Sequence, residues 1–254
     1  MIKKETYIQF EDLKKEEKVG HLFTKKPFDF CKTFVSQKQI EEEYQEIENL
    51  LNLSSTTFIK PIQKHTAVVQ KVDSSNLHDS FDNVDGLITN LKDVALVTSL
   101  ADCQGVLLYD KEKGVIGNIH SGWKGTIQRI VPNAILLMQE EYGCNPKDIK
   151  VYICPSILAC CFEVDEDVKD TFVETFTDIP IHGCIQKGEI KDGKQKYFID
   201  TLLVQKYVLE TMGILKENIV ASSLCTKCHA DIFHSYRAEK EKSGRNVAVI
   251  VLRS

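Results

Sequence analysis

Three side chains with metal-binding chemistry, His65, Cys103 and His120, lie at or beside the ends of strand-like runs. Strand ends that meet on one rim of a sheet bring together residues far apart in sequence. Thiolate and imidazole are ligands that zinc prefers, and three protein ligands with an open fourth position form a catalytic zinc site. Copper accepts the same donors. Ordinary packing also fits each residue taken singly, so both interpretations stay open here.

Asp102 directly precedes Cys103 in the string SLADC. Neighbours on a strand point to opposite faces, so a strand that continues through this position turns Asp102 away from the site. If the chain turns here instead, the carboxylate is placed to orient a histidine through a hydrogen bond. Both arrangements stay open.

The string CTKCHADIFH, residues 225–234, is the second group with metal-binding chemistry. C-x-x-C-H attaches c-type haem in exported proteins, and two cysteines with His229 and His234 have the ligand count of a closed zinc site. The sequence shows no export signal, and the adjacent Cys228 and His229 give an awkward geometry for one ion. We therefore predict a loop with two incidental cysteines.

Candidate cations for an anionic ligand are Arg237, Arg245 and Lys124. Guanidinium groups that follow a strand form a fork for anions, and Lys124 lies in the string GWKG, whose glycines permit close backbone approach. Two acidic residues border a strand-to-helix junction. Asp165 is predicted to be the N-cap of the helix, and the role of Glu163 stays open.

Composition restricts the class of protein. The 254 residues are 43% hydrophobic and 27% charged, with a formal charge of −5. These values predict one large domain over residues 1–254 and argue against nucleic acid as a partner. No apolar run is long enough for a membrane span, and the start MIKKETYIQF is not a signal peptide. We expect a cytoplasmic protein whose nine cysteines are free thiols or metal ligands.

Hydrophobic periodicity predicts the elements that position these side chains. Helices are predicted over 36–53, with Ser36 as N-cap, and over 126–143, 165–176 and 199–213. One or two strands are predicted over 57–72, and single strands over 93–103, 105–110, 114–120, 148–157, 218–225 and 246–252. The strands over 105–110 and 114–120 form a predicted hairpin, and an Asp-Gly turn at 85–86 precedes a further short strand. Pro132 lies inside the second helical pattern, which therefore kinks or begins its regular part late. Because strands come in adjacent groups with few helices between them, we predict a mixed α+β fold and not a doubly wound parallel sheet.

Several strings together resemble the YfiH/laccase-domain family. VDGLITN, SLADCQGVLLYD, IHSGWKGTI, CPSILACCFEVDEDV, CTKC and SYRAEKEKSGRNVAVIVL occur in the family's order, from about residue 60 to the carboxyl terminus. Members have been called polyphenol oxidase, multicopper oxidase, peptidoglycan editing factor and purine nucleoside phosphorylase. The resemblance implies an α+β fold, a single domain of packed mixed β-sheets flanked by helices in α/β/β/α layers, similar to the bacterial cytotoxic deamidase CNF.

The resemblance also implies a site. The family binds a metal, generally zinc, through residues that match His65, Cys103 and His120, and its S-Y-R and G-R elements match Arg237 and Arg245. The metal triad is intact in this sequence.

The sequence departs from the family pattern at several positions that neighbour these elements. Thr66 replaces a glycine, Gly105 a proline and Ala238 a second arginine. The arginine-bearing amino-terminal segment is reduced to FTKKPFDF, where Lys25 or Lys26 is the candidate substitute. We expect altered anion contacts as a result.

The implied function is a zinc-dependent purine nucleoside phosphorylase acting on adenosine, inosine and guanosine, with adenosine deamination as a second activity. We expect Cys103, His120 and Arg237 to be catalytic, and Lys124, Arg237 and Arg245 to bind substrate. The expected partners are small molecules only, with neither nucleic acid nor membrane, for a monomer or small homo-oligomer.

Three other functions stay open. They are a metal-free Cys103–His120 hydrolase that edits peptidoglycan precursors, a copper-dependent polyphenol oxidase, and a non-catalytic binding domain. Zinc is favoured over copper because the seven histidines include no H-x-H pair of the kind a multicopper cluster uses.

Overall fold

The computed structural model describes residues 6–254, so the amino-terminal segment discussed above is described only from residue 6 onward. The strands are β1 (Tyr7–Ile8), β2 (Val19–Thr24), β3 (Thr57–Ile59), β4 (Val69–Lys71), β5 (Gly86–Thr89), β6 (Val94–Leu100), β7 (Gln104–Asp110), β8 (Val115–Ser121), β9 (Ile149–Ile153), β10 (Glu163–Val164), β11 (Ile185–Lys191), β12 (Lys194–Ile199), β13 (Ile219–Ala221) and β14 (Asn246–Leu252). The α-helices are α1 (Gln37–Leu50), α2 (Trp123–Ile127), α3 (Ile130–Tyr142), α4 (Glu166–Thr175), α5 (Thr201–Thr211) and α6 (Tyr236–Glu239).

The strands form two large mixed sheets and one small antiparallel sheet. The first large sheet has the order β1-β2-β14-β6-β3, and the second has the order β13-β9-β7-β8-β5-β4. The predicted hairpin is confirmed, because β7 and β8 pair antiparallel from Gln104–Ser121 to Asp110–Val115. The small sheet, β10-β12-β11, lies in the stretch between β9 and α5.

The alternation of side chains along β7 shows how the two large sheets stack. Leu107 and Tyr109 belong to the core between the sheets, together with residues of β6 and β14 such as Leu96. Val106 and Leu108 point to the other face and pack with α3. The outer face of the first sheet packs against α1. The order is therefore helix, sheet, sheet, helix, which confirms the predicted fold class.

A buried asparagine ties the two sheets together two residues before His120. The amide nitrogen of Asn118 donates to the carbonyls of Leu96 and Ala248, both at 2.8 Å. Its side-chain oxygen accepts from the hydroxyl of Thr98 at 2.8 Å. A buried amide with all these partners fixes the position of β8 relative to β6 and β14.

Helix ends agree with the local sequence, with two differences. Ser36 caps α1 by accepting from the backbone of Gln39, as predicted. The second helical pattern divides into α2 and α3 at Arg129, which has a left-handed φ of 59°. Pro132 thus falls in the first turn of α3, where no intrahelical N–H is needed. Asp165 occupies the N-cap position of α4, but its side chain pairs with Lys196 and makes no cap hydrogen bond.

Within residues 6–254, no helix combines the length and the apolar character needed to cross a bilayer.

Candidate metal centre and active-site cleft

A cleft of about 1220 Å³ opens beside the ends of β6, β7 and β8. His65, Cys103 and His120 all line it, so the structure brings the three predicted donors to one place. Their ligand atoms lie within 4.8 Å of one another. A cleft of this volume is large enough for a nucleoside together with a small anion.

Each donor comes from a different part of the fold. His120 is the penultimate residue of β8 and is buried, whereas Cys103 lies in the short turn between β6 and β7. His65 lies in the loop between β3 and β4, has a left-handed φ of 60°, and is exposed. Of the one or two strands predicted over 57–72, the structure has two short ones, β3 and β4, and the loop between them turns His65 toward the other two donors. The Cys103 sulfur is 3.9 Å from His65 Nε2.

Asp85 orients this site, although the sequence indicated only a turn there. His120 Nδ1 lies 2.7 Å from a carboxylate oxygen of Asp85, which is fully buried. The same carboxylate accepts from the backbone N–H groups of Lys64, His65 and Thr66 at 2.8–3.0 Å. One carboxylate therefore fixes the proton on His120 Nδ1, leaves Nε2 for the cleft, and anchors the His65 loop.

Gly122 follows Ser121 at a position where His65 and Cys103 lie too close to the backbone for a side chain. A Cβ on Gly122 would lie 2.8 Å from His65 Cδ2 and 3.1 Å from the Cys103 sulfur. Gly122 is also the N-cap position of α2, and its carbonyl accepts from the hydroxyl of Thr126 at 3.0 Å. The G-W turn thus lets a helix begin directly against the donor atoms.

The charges of the donors are coupled. Burial alone would raise the pKa of the Cys103 thiol, but the charge of His120 and hydrogen bonds with His120 and His65 outweigh it and lower the pKa to about 6. Burial opposes protonation of His120, yet the Cys103 sulfur and Asp85 raise its pKa to about 9. Hydrogen bonds from His120 and the Thr66 and Lys64 backbone outweigh burial and hold the pKa of Asp85 far below its usual range. The site therefore favours a thiolate.

Asp102 does not orient a histidine. The chain turns here, with a φ of 83°, and the carboxylate accepts from the hydroxyl of Thr226 and the backbone N–H of Arg237, both at 2.6 Å. Asp102 therefore holds the Arg237 segment against the turn that carries Cys103.

Arg237 lines the cleft and is held in place by backbone groups. Its Nη1 donates to the carbonyls of Cys161 at 3.2 Å and Glu163 at 2.9 Å. Its guanidinium carbon lies 5.6 Å from the centre of the Phe162 ring. Glu163 also lines the cleft and pairs with Lys191 at 2.5 Å.

Other cations of the cleft differ from the predicted set. Arg245 lines the cleft as expected, together with Lys60 and Lys32, which the sequence did not single out. Burial, and then the nearby charges of Lys32 and Arg245, lower the pKa of Lys60. Lys124 is exposed, does not line the cleft, and lies with its amine 5.7 Å from the centre of the Trp123 ring.

The two lysines proposed to replace the family's amino-terminal arginine also lie outside the cleft. Neither Lys25 nor Lys26 lines it, and Lys26 pairs with Glu239 at 2.7 Å. Neither lysine is therefore placed to contact an anion bound in the cleft.

Two glutamines complete the cleft. Gln63 exchanges two hydrogen bonds with the backbone of Ser99 at 2.8 and 3.0 Å, which fixes the His65 loop to the end of β6. Gln104 is buried, and its side-chain nitrogen donates to Thr201 at 3.3 Å. Its side-chain oxygen has no hydrogen-bond partner among residues 6–254. Gln104 carried no sequence signal beyond its place beside Cys103.

The C-x-x-C string proves to be part of a larger group. The sulfurs of Cys225 and Cys228 lie with those of Cys160 and Cys161, all within 4.8 Å of one another. The predicted incidental loop is wrong in this respect, because it did not include the partners from another segment. His234 takes no part, since its Nε2 is 2.9 Å from the carbonyl of Phe28.

Comparison with known proteins agrees with this architecture. The model of the multi-copper polyphenol oxidoreductase laccase family matches residues 33–253. The chain belongs to this laccase-domain family. One curated relative is the purine nucleoside phosphorylase YlmD of Bacillus subtilis, 29% identical over 89% of this chain and 84% of that protein. A purine nucleoside phosphorylase of Clostridium acetobutylicum is 32% identical over 83% of this chain and 84% of its own.

Solved structures show the same laccase-domain fold. The YfiH protein of Bacillus licheniformis superposes with a TM-score of 0.87 at 24% identity, covering 100% of this chain and 98% of that one. YlmD of Geobacillus stearothermophilus gives a TM-score of 0.83 at 25% identity, covering 94% and 93%. The resemblance seen in the sequence is confirmed.

Proposed function

We propose that the protein is a zinc-dependent purine nucleoside phosphorylase, which converts adenosine, inosine or guanosine and phosphate into the free base and ribose 1-phosphate. The observation that carries the proposal is the open set of two imidazoles and one thiolate, which lines a nucleoside-sized cleft together with cationic side chains. Several relatives named purine nucleoside phosphorylase support the same reaction.

The donor set fits zinc. His65, Cys103 and His120 would hold the ion, since two nitrogens and one thiolate are donors that zinc prefers and three ligands leave one position free. The hydrogen bond from His120 Nδ1 to Asp85 leaves Nε2 as the ligand atom. Zinc bound there supplies Lewis-acid chemistry at the free position.

Phosphate is the second substrate, and the cationic side of the cleft suits it. Burial lowers the pKa of the Lys60 amine, and the neighbouring charges of Lys32 and Arg245 lower it further. Bringing an anion there relieves this repulsion. Arg237 presents a guanidinium held by two carbonyls. We propose that these cationic side chains hold phosphate so that one of its oxygens attacks C1′ of the ribose while the bond from C1′ to the purine breaks.

The purine is proposed to lie against the aromatic side chains of the cleft. These are Tyr44, Phe58, Trp123, Phe162 and Tyr236. The unpaired oxygen of Gln104 supplies an acceptor for a purine N–H, because a buried polar atom without a partner gains most from a ligand that satisfies it.

The test is to incubate purified, zinc-loaded protein with inosine and follow hypoxanthine by chromatography. We expect release that requires phosphate and yields ribose 1-phosphate. Release without phosphate contradicts phosphorolysis in favour of hydrolysis, and absence of release contradicts the proposal altogether. Ammonia release from adenosine tests the proposed second activity, deamination.

A metal-free Cys103–His120 hydrolase is the second candidate, because the Cys103 sulfur lies within 4.8 Å of a ring nitrogen of His120, as a nucleophile lies near its base. Metal content separates the two. If Cys103→Ala contains less zinc than the unaltered protein, Cys103 is a zinc ligand. If the zinc content is unchanged, Cys103 is free to act as a nucleophile. If the protein is instead a copper-dependent polyphenol oxidase, the purified protein loaded with copper is expected to oxidise phenols, which an assay of phenol turnover tests.

We also propose that residues 1–254 act as one domain, as a monomer or small homo-oligomer, on small molecules in the cytoplasm. The nine cysteines, none of which forms a disulfide within the described residues, support a reducing compartment. Gel filtration with light scattering tests the oligomeric state.

A further inference from the structure

Four cysteine sulfurs that the proposed reaction does not use meet at the surface. They come from two segments, Cys160–Cys161 just before β10 and Cys225–Cys228 after β13. The Cys228 sulfur is 3.4 Å from that of Cys161 and 3.7 Å from that of Cys160. Among the described residues, this is the second of two groups with such donors, the other being the cleft triad.

The spacing is that of a single tetrahedral ion. A zinc–sulfur bond is about 2.3 Å, so two thiolates at tetrahedral corners are about 3.8 Å apart. The two measured contacts lie near this value, and all four sulfurs fall within 4.8 Å. A cluster of several irons would need the thiolates spread around a larger body.

The loops are already arranged around the sulfurs. Cys225 is buried, and its backbone carbonyl accepts from the N–H of His229 at 3.1 Å, which closes the turn that carries Cys228. The two segments also pair directly, since the N–H of Thr226 donates to the carbonyl of Ser156 at 3.0 Å. The cysteines therefore need little movement to become ligands.

We propose that Cys160, Cys161, Cys225 and Cys228 bind one zinc ion in a closed, four-thiolate structural site. Four protein donors leave no position for substrate, so the ion has a structural role. It joins the segment before β10 to the loop before Arg237. The carbonyl of Cys161 accepts from Arg237, so the ion also fixes one wall of the cleft.

The primary test counts zinc per chain by mass spectrometry in full-length protein produced with added zinc. We expect two ions in the unaltered chain, one in Cys103→Ser, and one in the double variant Cys225→Ser/Cys228→Ser. Cys31→Ser is the matched control, because Cys31 is a partly exposed thiol outside both groups, and it retains two. X-ray absorption of Cys103→Ser is expected to show four sulfur neighbours and no nitrogen.

The outcomes keep the two proposals separate. If the cleft binds no metal and releases no base, Cys103→Ser still holds its four-sulfur zinc and only the proposed function fails. A folded Cys103→Ser chain without zinc overturns the four-thiolate site. A disulfide joining Cys228 to Cys160 or Cys161 in freshly purified protein overturns it as well.

A measurement on the unaltered chain applies even if the double variant does not fold. Cys160 and Cys228 are exposed, so without an ion both thiols are accessible to iodoacetamide. We expect peptide mass spectrometry to show them protected in the zinc-loaded protein and labelled after a chelator is added. Equal labelling with and without chelator overturns the proposal.

Discussion

The two sulfur-containing groups of this molecule differ in how many donors they have and in what surrounds them. The cleft triad has three donors, one of them exposed, and opens onto a cavity of about 1220 Å³. The second group, formed by Cys160, Cys161, Cys225 and Cys228, has four donors from two paired segments. An ion with a free position takes part in chemistry, whereas an ion with none holds loops together. An ion bound by the triad is therefore expected to act in catalysis, and an ion bound by the four-cysteine group to act in structure.

The two groups also differ in what positions them without an ion. The triad is held by Asp85, by the packing of Gly122 against its neighbours, and by the stacked sheets beneath it. The four-cysteine group is held by short loops and by the backbone hydrogen bond from Thr226 to Ser156. Metal removal is therefore expected to affect stability mainly at the second group and activity mainly at the first.

The largest effect is expected on stability. In the Cys103→Ser background, where only the four-cysteine group binds zinc, a chelator is expected to lower Tm by roughly 10 °C. This follows from about 4 kcal/mol of linkage at a zinc concentration 1,000 times Kd and from the size of the chain. Scanning calorimetry measures it. The variant Cys225→Ser/Cys228→Ser retains only the triad. If a chelator lowers Tm more in that variant than in Cys103→Ser, the triad and not the four-cysteine group is the site whose metal stabilises the fold.

Loss of a cleft ligand is expected to reduce activity next. Cys103→Ser should lower kcat/KM for inosine phosphorolysis by more than ~100-fold, because losing a ligand costs more than losing the hydrogen-bond partner of one. Cys31→Ser is the control for removing a thiol. Activity within a few-fold of the unaltered enzyme would show that Cys103 is neither ligand nor nucleophile.

The partner of a ligand is expected to matter less than the ligand. Asp85→Asn keeps the size of the side chain but makes it a poorer acceptor for His120 Nδ1 and the three backbone N–H groups. We expect zinc affinity of the triad and activity to fall ~10–100-fold. Asp148→Asn, at an exposed position outside the cleft, is the matched control. Unchanged affinity would mean that packing alone orients His120.

The smallest effect is expected at the phosphate side. Lys60→Met should raise the KM for phosphate about 10-fold with little change in kcat. One charge-assisted hydrogen bond to a bound anion is worth roughly a factor of ten in binding. Lys147→Met, an exposed lysine away from the cleft, serves as control. Lys124→Met tests the expectation from sequence, because a comparable rise in KM there would place the anion next to Trp123.

Much of this architecture was predictable. Periodicity gave α1 with its Ser36 cap and the β7–β8 hairpin, because these depend on contacts between near neighbours. The role of Asp85 was not predictable, since in sequence it is one residue of an Asp-Gly turn and its partners lie about 20 and 35 residues away. The position of Lys124 outside the cleft lining has the same cause, because nearness in sequence to His120 does not fix the side on which a helical residue points.

The sequence by itself determined which donors were present and the mixed α+β class of the fold, because hydrophobic period and strand grouping are local properties, and the family resemblance implied the layers. Only the tertiary structure decided how those donors are grouped. It placed His65 with Cys103 and His120 through a loop in a left-handed turn, and it joined Cys225 and Cys228 to a pair of cysteines in another segment. The physical reason is that a metal site depends on distances of a few ångströms between side chains, which are set by how the sheets and loops pack.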